Sequence, residues 1–428
     1  MCILVMTIIL IISLASCSPV NSPTITVAPT PTSGPDDVSA LVAGNTAFAL
    51  DLYRQLKAED GNLFYSPYSI SAALAMASAG AKENTLAQMA SVSHFAPVGD
   101  QLNGLFYQLD NVLKSRSQPI EVQTYGDNGQ TKKQTVDGFT LNIINALWGQ
   151  KGFPFLQSYL DLVQKYYSGG MNEVDFIHAA EQARITINDW ASQQTNGRIR
   201  DLLGPGDINN LTRLVLTDAI YFNAHWQHEF NENGTSSAPF TLLDGSITNV
   251  PMMHQTLTFQ YTETDDCQAL SLPYLGGDLD MVILLPAKDK FGEFENGLDA
   301  ATLTNIMGQM TQQEVNVSLP KFSFTSNYKL SQTLKAMGMT DAFDADKADF
   351  SGMTGDKSLF VGDVIHKAFI AVDEHGTEAA AVTAVIMAMA AAPSKVYDFK
   401  ADHPFIFLIR DIKTGSILFM GRVLNSAG

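Results

Sequence analysis

The chain has 428 residues, 46% of them hydrophobic, enough for a large buried core. Its 31 glycines and 17 prolines are an ordinary share and exclude a collagen-like or wholly disordered chain. With 26 Lys and Arg against 44 Asp and Glu, the net charge is −18, a field that repels phosphate backbones and heparin-like polymers, so neither nucleic acid nor such polymers are expected partners.

In chain order, Ile3 to Ser16 is an apolar run, short of the ~20 residues a spanning helix needs and about right for a secretion signal. It ends Leu14-Ala15-Ser16-Cys17, which resembles a bacterial lipobox. Residues 1–17 are therefore expected to be a signal with Cys17 as the lipidated residue. An ordinary signal with an incidental cysteine is the alternative, and no Lys or Arg precedes the run. Residues 18–37 are rich in Pro, Thr and Ser and cannot bury enough apolar surface to offset ordering entropy, so they read as a disordered tether. The protein is expected outside the cell or at its surface, in contact with membrane only through such an anchor. The three cysteines, Cys2, Cys17 and Cys267, cannot build a disulfide framework, and Cys267 reads as a small buried hydrophobe.

Leu41, Phe48, Leu52 and Leu56 recur at helical spacing and predict a first amphipathic helix. Asn62 to Pro67 reads as a short strand and turn. Ser66 or Ser69 caps the next helix, Ile70 to Gly80, whose small and apolar residues predict burial. Gln118 to Gly138 is polar around Gly126-Asp127-Asn128-Gly129 and reads as a surface hairpin or insertion. Strand-like runs follow at Leu141 to Leu147, Leu214 to Phe222, Met281 to Leu285, Val315 to Leu319 and Phe405 to Ile409, with a helix at Ala179 to Gln194. No repeat and no Pro/Gly/Ser break divides the body, so residues 38–428 are expected to form one mixed α+β domain.

Enzyme motifs are weak. Ser318-x-x-Lys321 and Lys413-Thr414-Gly415 match fragments of a penicillin-interacting site. That serine must open a helix, however, and Ser318 closes a strand-like run. His225 and His228 have no third ligand nearby, and Gly352 to Ser358 has the wrong length for a phosphate loop. No enzyme and no cofactor is expected.

The segment from Glu374 to Pro393 is the informative one. A strand-like stretch, Lys367 to Val372, and a turn, Asp373 to Gly376, precede about sixteen small or apolar residues carrying a single charge, Glu378. A buried Ala-rich helix is one reading. The β-branched Val382, Thr383, Val385 and Ile386 favour a strand instead, and Thr377, Ala379, Ala381 and Thr383 then share one face with Glu378 on the other. Such a segment fits either a loop or a central strand.

Here the chain resembles the serpin family. Glu374-x-Gly376-Thr377-Glu378-Ala379-Ala380-Ala381 is similar to the hinge of inhibitory serpins residue by residue. Further matches run in order through the body: Asn62 to Ile70, Gln194 to Ile199, Ala219 to Phe222 with Trp226, and Leu319 to Phe322. They end with Ala348 to Gly352, Ile365 to Lys367, His403 to Phe405 and Gly421 to Val423.

The resemblance implies a single α+β domain with a large mixed sheet, two smaller sheets, about nine helices and an exposed reactive-centre loop at 374–393. It implies a monomer that inhibits a serine protease irreversibly. The protease cleaves the loop and is held as the acyl-enzyme while the loop inserts into the large sheet. Inserting ~12–14 residues adds a similar number of backbone hydrogen bonds at ~0.5–1.5 kcal/mol net each, a driving force on the order of 10 kcal/mol. The hinge residues Thr377, Ala379, Ala381 and Thr383 are small, which favours insertion. Family spacing places the scissile bond at Ala390-Ala391, with Met389-Ala390 as the neighbouring option, and small apolar residues there suit elastase- or subtilisin-type proteases. Lys321 and Glu374 match an ion pair at the top of the sheet near Trp226. Ser66, Ser69 and His366 match a cluster at mid-sheet, where Asp218 replaces the usual Asn. A contact between Asp218 and His366 is expected to favour the imidazolium. A non-inhibitory member acting as a binding module, and a hydrolase built on Ser318, Lys321 and Lys413, are the competing readings.

Overall fold

The computed structural model describes residues 38–125, 131–136, 138–167, 170–377 and 395–427. The expected signal, lipobox and tether at 1–37 lie outside these residues. The apolar stripe predicted in the first helix is buried in α1 (Ser39–Leu56) through Leu41, Phe48, Leu52 and Leu56. After β1 (Leu63–Tyr65), α2 (Pro67–Ser78) is buried along its whole length, as its all-round small and apolar sequence requires. Of the two candidate caps, Ser66 is the one used: its side chain accepts from the Ser69 amide, and Pro67 opens the helix where no amide is needed.

Two helices, α3 (Glu83–Val92) and α4 (Asp100–Arg116), lead to the predicted polar hairpin, β2 (Ile120–Tyr125) with β3 (Thr131–Val136). Then come β4 (Phe139–Gln150), α5 (Gln157–Tyr166), β5 (Met171–Val174), α6 (Phe176–Gln194) and β6 (Leu214–His225). Helix α6 starts earlier than its apolar pattern predicts because Asp175 caps it, and Ala179 marks a kink inside it. A β-rich stretch follows with β7 (Ser236–Thr241), β8 (Ile247–Glu263), β9 (Cys267–Pro273) and β10 (Leu279–Pro286), then α7 (Phe291–Gly297) and α8 (Ala300–Gln309). The chain closes with β11 (Thr311–Pro320), β12 (Phe322–Lys329), α9 (Ser331–Ala336), α10 (Ser351–Thr354), β13 (Asp363–Val372), β14 (Gly376–Thr377), β15 (Val396–Lys400), β16 (Phe405–Asp411) and β17 (Ile417–Val423).

These strands form a nine-stranded sheet in the order β1-β17-β16-β10-β9-β8-β11-β15, with β7 attached to β8. A six-stranded mixed sheet runs β12-β13-β14-β6-β4-β5, and the hairpin makes a third. As expected of a mixed α+β domain with about nine helices, the described residues hold ten α-helices and three sheets. The hinge lies in the six-stranded mixed sheet. Helix α2 packs against β4, β6 and β17 and so ties the two sheets together. Phe64 of β1 stacks on Phe419 of β17. Cys267 is buried, and burial pushes its thiol up to about 12, as an inert core cysteine requires.

Candidate functional site at the fork of the six-stranded sheet

Strands β6 and β13 run parallel and pair directly from Val215/Asp363 to Ile220/Ala368. Above that point they part. The two residues of β14 sit between them, with Thr377 opposite both Val372 and Ala224, and Gly376 opposite His225. The predicted turn after β13 makes this possible by reversing the chain at Asp373 to His375. Glycine is required at 376: a Cβ there would lie 2.0 Å from the Ala224 carbonyl oxygen and 2.8 Å from His225 Cα.

The turn is held by the segment that follows β6. Its three carbonyls, of Asp373, Glu374 and His375, accept from Trp226 Nε1 (2.9 Å), the Phe230 amide (2.9 Å) and the Trp226 amide (2.8 Å). Trp226 stacks on Tyr274 at 4.7 Å, and the Tyr274 hydroxyl lies 2.7 Å from Thr377 Oγ1. Thr377 is 1% exposed, so a polar hinge residue enters the interior with its hydroxyl satisfied. Lys321 Nζ donates to Glu374 Oε2 at 2.6 Å, and Thr235 Oγ1 donates to Oε1 at 2.7 Å. Burial pushes the Glu374 carboxyl up, but the Lys321 and Thr235 hydrogen bonds outweigh it and hold the group below the usual carboxylate range.

Below the fork lies a second cluster. His366 and Asp218 are opposite one another in the β13–β6 pairing and are fully buried, as are Ser66 and Ser69. Ser69 Oγ lies 2.8 Å from Asp218 Oδ1, and Ser66 Oγ donates to the Leu418 carbonyl. His366 Nδ1 is 3.2 Å from Asp218 Oδ1, so the anticipated contact exists. The imidazolium expected from it does not fit. Nε2 of His366 accepts the Ser66 amide at 3.1 Å, which places the ring's single proton on Nδ1, facing Asp218.

The structure therefore brings Glu374, Gly376, Thr377, Lys321 and Trp226 together at the fork, and Ser66, Ser69, Asp218 and His366 beneath it. Glu378, Ala379, Ala380, Ala381 and Thr383 of the expected hinge, and Met389, Ala390 and Ala391 around the expected scissile bond, lie outside the described residues. The competing hydrolase triad is scattered over three partners: Ser318 Oγ pairs with His254 Nδ1, Lys321 with Glu374, and Lys413 with Asp278. Tyr274, Thr235 and Asn145 escaped the sequence. Asn145 donates to the Ser69 carbonyl and stands opposite Asp218 in the β4–β6 register, a relation visible only once the strands are paired.

Residues 43–426 match the family model described as Serpin (serine protease inhibitor). An uncharacterised serpin-like protein of Thermococcus kodakarensis is 42% identical, covering 89% of this chain and 84% of its own. The leukocyte elastase inhibitor of Homo sapiens is 39% identical, covering 89% and 98%. Uncleaved ovalbumin superposes with a TM-score of 0.77 at 28% identity, covering 90% of this chain and all of its own. The family-model match over nearly the whole folded body, with relatives about 40% identical along it, gives the family: the chain belongs to the serpins, inhibitors whose partner is a target serine protease.

Proposed function

We propose that this protein inhibits its protease irreversibly, with the segment after Thr377 entering the six-stranded sheet between β6 and β13. The observation that carries this reading is the docked pair Gly376–Thr377, a two-residue strand already seated at the mouth of a slot that is closed below. The protease serine attacks the Ala390 carbonyl, the Ala391 amine leaves, and the loop stays bound through the Ala390 ester. The freed loop then continues β14 downward. It exchanges the direct β6–β13 bonds for antiparallel ladders on both sides, each bond contributing about 0.5–1.5 kcal/mol net. By the period of two, Ala379, Ala381 and Thr383 fall on the buried face that Thr377 occupies, and all are small enough to pass.

In this reading Lys321, Glu374 and Trp226 hold the entrance. Ser66, Ser69, Asp218 and His366 hold the lower pairing shut until the loop reaches it. Small apolar residues at 389–391 suit proteases of elastase or subtilisin type, and Cys17 anchors the protein at the cell surface. The test is a denaturing gel after mixing with elastase and with subtilisin. An SDS-stable adduct of the protease with the chain cut at 389–391 is expected. Cleavage there with no adduct would refute trapping and leave a binding module.

A further inference from the structure

His375 is the hinge residue whose ring the sheet does not use. Its amide donates to Asp373 Oδ1 and its carbonyl accepts from Trp226, so the backbone is fixed within the turn. The ring projects onto the segment after β6. There Nδ1 lies 3.2 Å from Glu229 Oε2, and Nε2 lies 2.8 Å from Glu232 Oε1. Ionised carboxylates only accept, so the ring satisfies both partners only when it carries two protons.

The surrounding charges agree. Glu229 and Glu232 face the ring from the segment after β6, and Asp373 faces it from its own turn. His225, at the end of β6, sets Nδ1 3.4 Å from the other oxygen of Glu229 without forming a hydrogen bond. The neighbouring Glu374 is committed to Lys321 and Thr235. Burial opposes charge on the 18% exposed ring, but the two carboxylate hydrogen bonds and Asp373 outweigh it and raise the imidazole above its ordinary value.

We propose that protonated His375, clamped between Glu229 and Glu232, is a positioning residue that keeps Gly376 and Thr377 docked between β6 and β13. Withdrawing those two residues from the slot pulls the turn off the segment after β6, and the ring must then leave both carboxylates. Because the clamp raises the ring's proton affinity in the docked state, its contribution is complete below about pH 6.5, the free value, and fades as pH rises through the docked value. The hinge is thus seated most firmly in mildly acidic solution and loosens as pH rises through the docked value, which sets how far loop entry has progressed before a protease arrives. This consequence rests on the trapping reading, whereas the clamp itself is tested on the free protein.

The experiment is amide hydrogen exchange of the full chain at two pH values, about 6 and 8.5, corrected for intrinsic rates. Peptides covering 370–377 report the hinge, and peptides of β10 serve as the internal reference. Wild type should lose hinge protection several-fold at the higher pH while β10 is unchanged. His375→Gln should be weakly protected at both values, and His375→Lys, charged throughout, should be protected at both. Glu232→Gln, altered at an exposed carboxylate, should shrink the response and decides the matter should the His375 variants fail to fold. A flat wild-type profile, a His375→Gln variant that keeps the response, or an unchanged Glu232→Gln response would each overturn the clamp. A missing protease adduct alongside an intact hinge response would refute trapping instead.

Discussion

Thr377→Arg puts the entry step under the most direct load. In the docked hinge Thr377 is 1% exposed, with Oγ1 2.7 Å from the Tyr274 hydroxyl. That hydrogen bond contributes about 1 kcal/mol, and the buried methyl about 0.8 kcal/mol. With the few main-chain bonds of β14, at about 0.5–1.5 kcal/mol each, docking is held by roughly 4 kcal/mol. Arginine removes the first two contributions and carries a guanidinium into the slot, where Tyr274 offers a hydroxyl but no counter-charge. The effective penalty for an unpaired buried ion is several kcal/mol, so the docked state is lost. The entry step then competes poorly with hydrolysis of the acyl-enzyme, at a factor of ten for each ~1.4 kcal/mol. Titrating a fixed amount of elastase, with adduct and cleaved bands quantified on denaturing gels, should show the inhibitor needed per protease rising more than about tenfold. Thr377→Ser keeps the hydroxyl and should stay near wild type. If Thr377→Arg forms adduct in wild-type yield, the inward face imposes no size or charge limit and the reasoning fails.

Two further outcomes follow from the paired clusters. Because the Glu374 carboxyl is held below the usual range, its contribution is present above the unfolded value of about 4.3 and is lost as pH falls through the folded value. The Tm gap between wild type and Glu374→Gln should therefore be largest near about pH 6 and shrink below about pH 4, and a gap that stays constant to pH ~3 contradicts the ion-paired assignment. Below the fork, Asp218→Ala removes the oxygen that faces Ser69 Oγ and His366 Nδ1 and should cost about 1–3 kcal/mol in urea unfolding. Asp218→Asn keeps an acceptor and should cost less than about 1 kcal/mol, so equal losses in the two variants would show that the acceptor does not matter.

What the sequence makes legible is local. The stripe of α1, the cap at Ser66 and the turn after Val372 each follow from neighbouring residues, and each is found where its spacing predicts. The fork needed long-range pairing. Tyr274 meets Thr377 across 103 residues, and Asn145 meets Ser69 across 76. No periodicity carries such relations, since either residue alone reads as an ordinary strand position. Strand β8 was missed for a different reason. Its Thr, Gln, Asn and His residues alternate with only partial burial along 17 positions, so no clean apolar face marks it. Strand β17 is buried throughout, and its short apolar run, Ile417 to Met420, does not distinguish strand from helix. The role of Gly421 in it is tertiary, since a Cβ there would sit 2.5 Å from the Leu63 carbonyl oxygen of the neighbouring strand β1.

The measurement closest to the central claim is the melting temperature of the intact chain beside that of the same chain nicked within 378–394. The nick should be made by a metalloprotease, which forms no acyl-enzyme and so cannot itself be trapped. Loop entry worth on the order of 10 kcal/mol, set against an unfolding entropy of about 0.8 kcal/mol/K for a body of roughly 390 residues, raises Tm by on the order of 10 °C. A nicked chain that melts at the same temperature as the intact one, or below it, would mean that the closed β6–β13 pairing stores nothing for the loop to release.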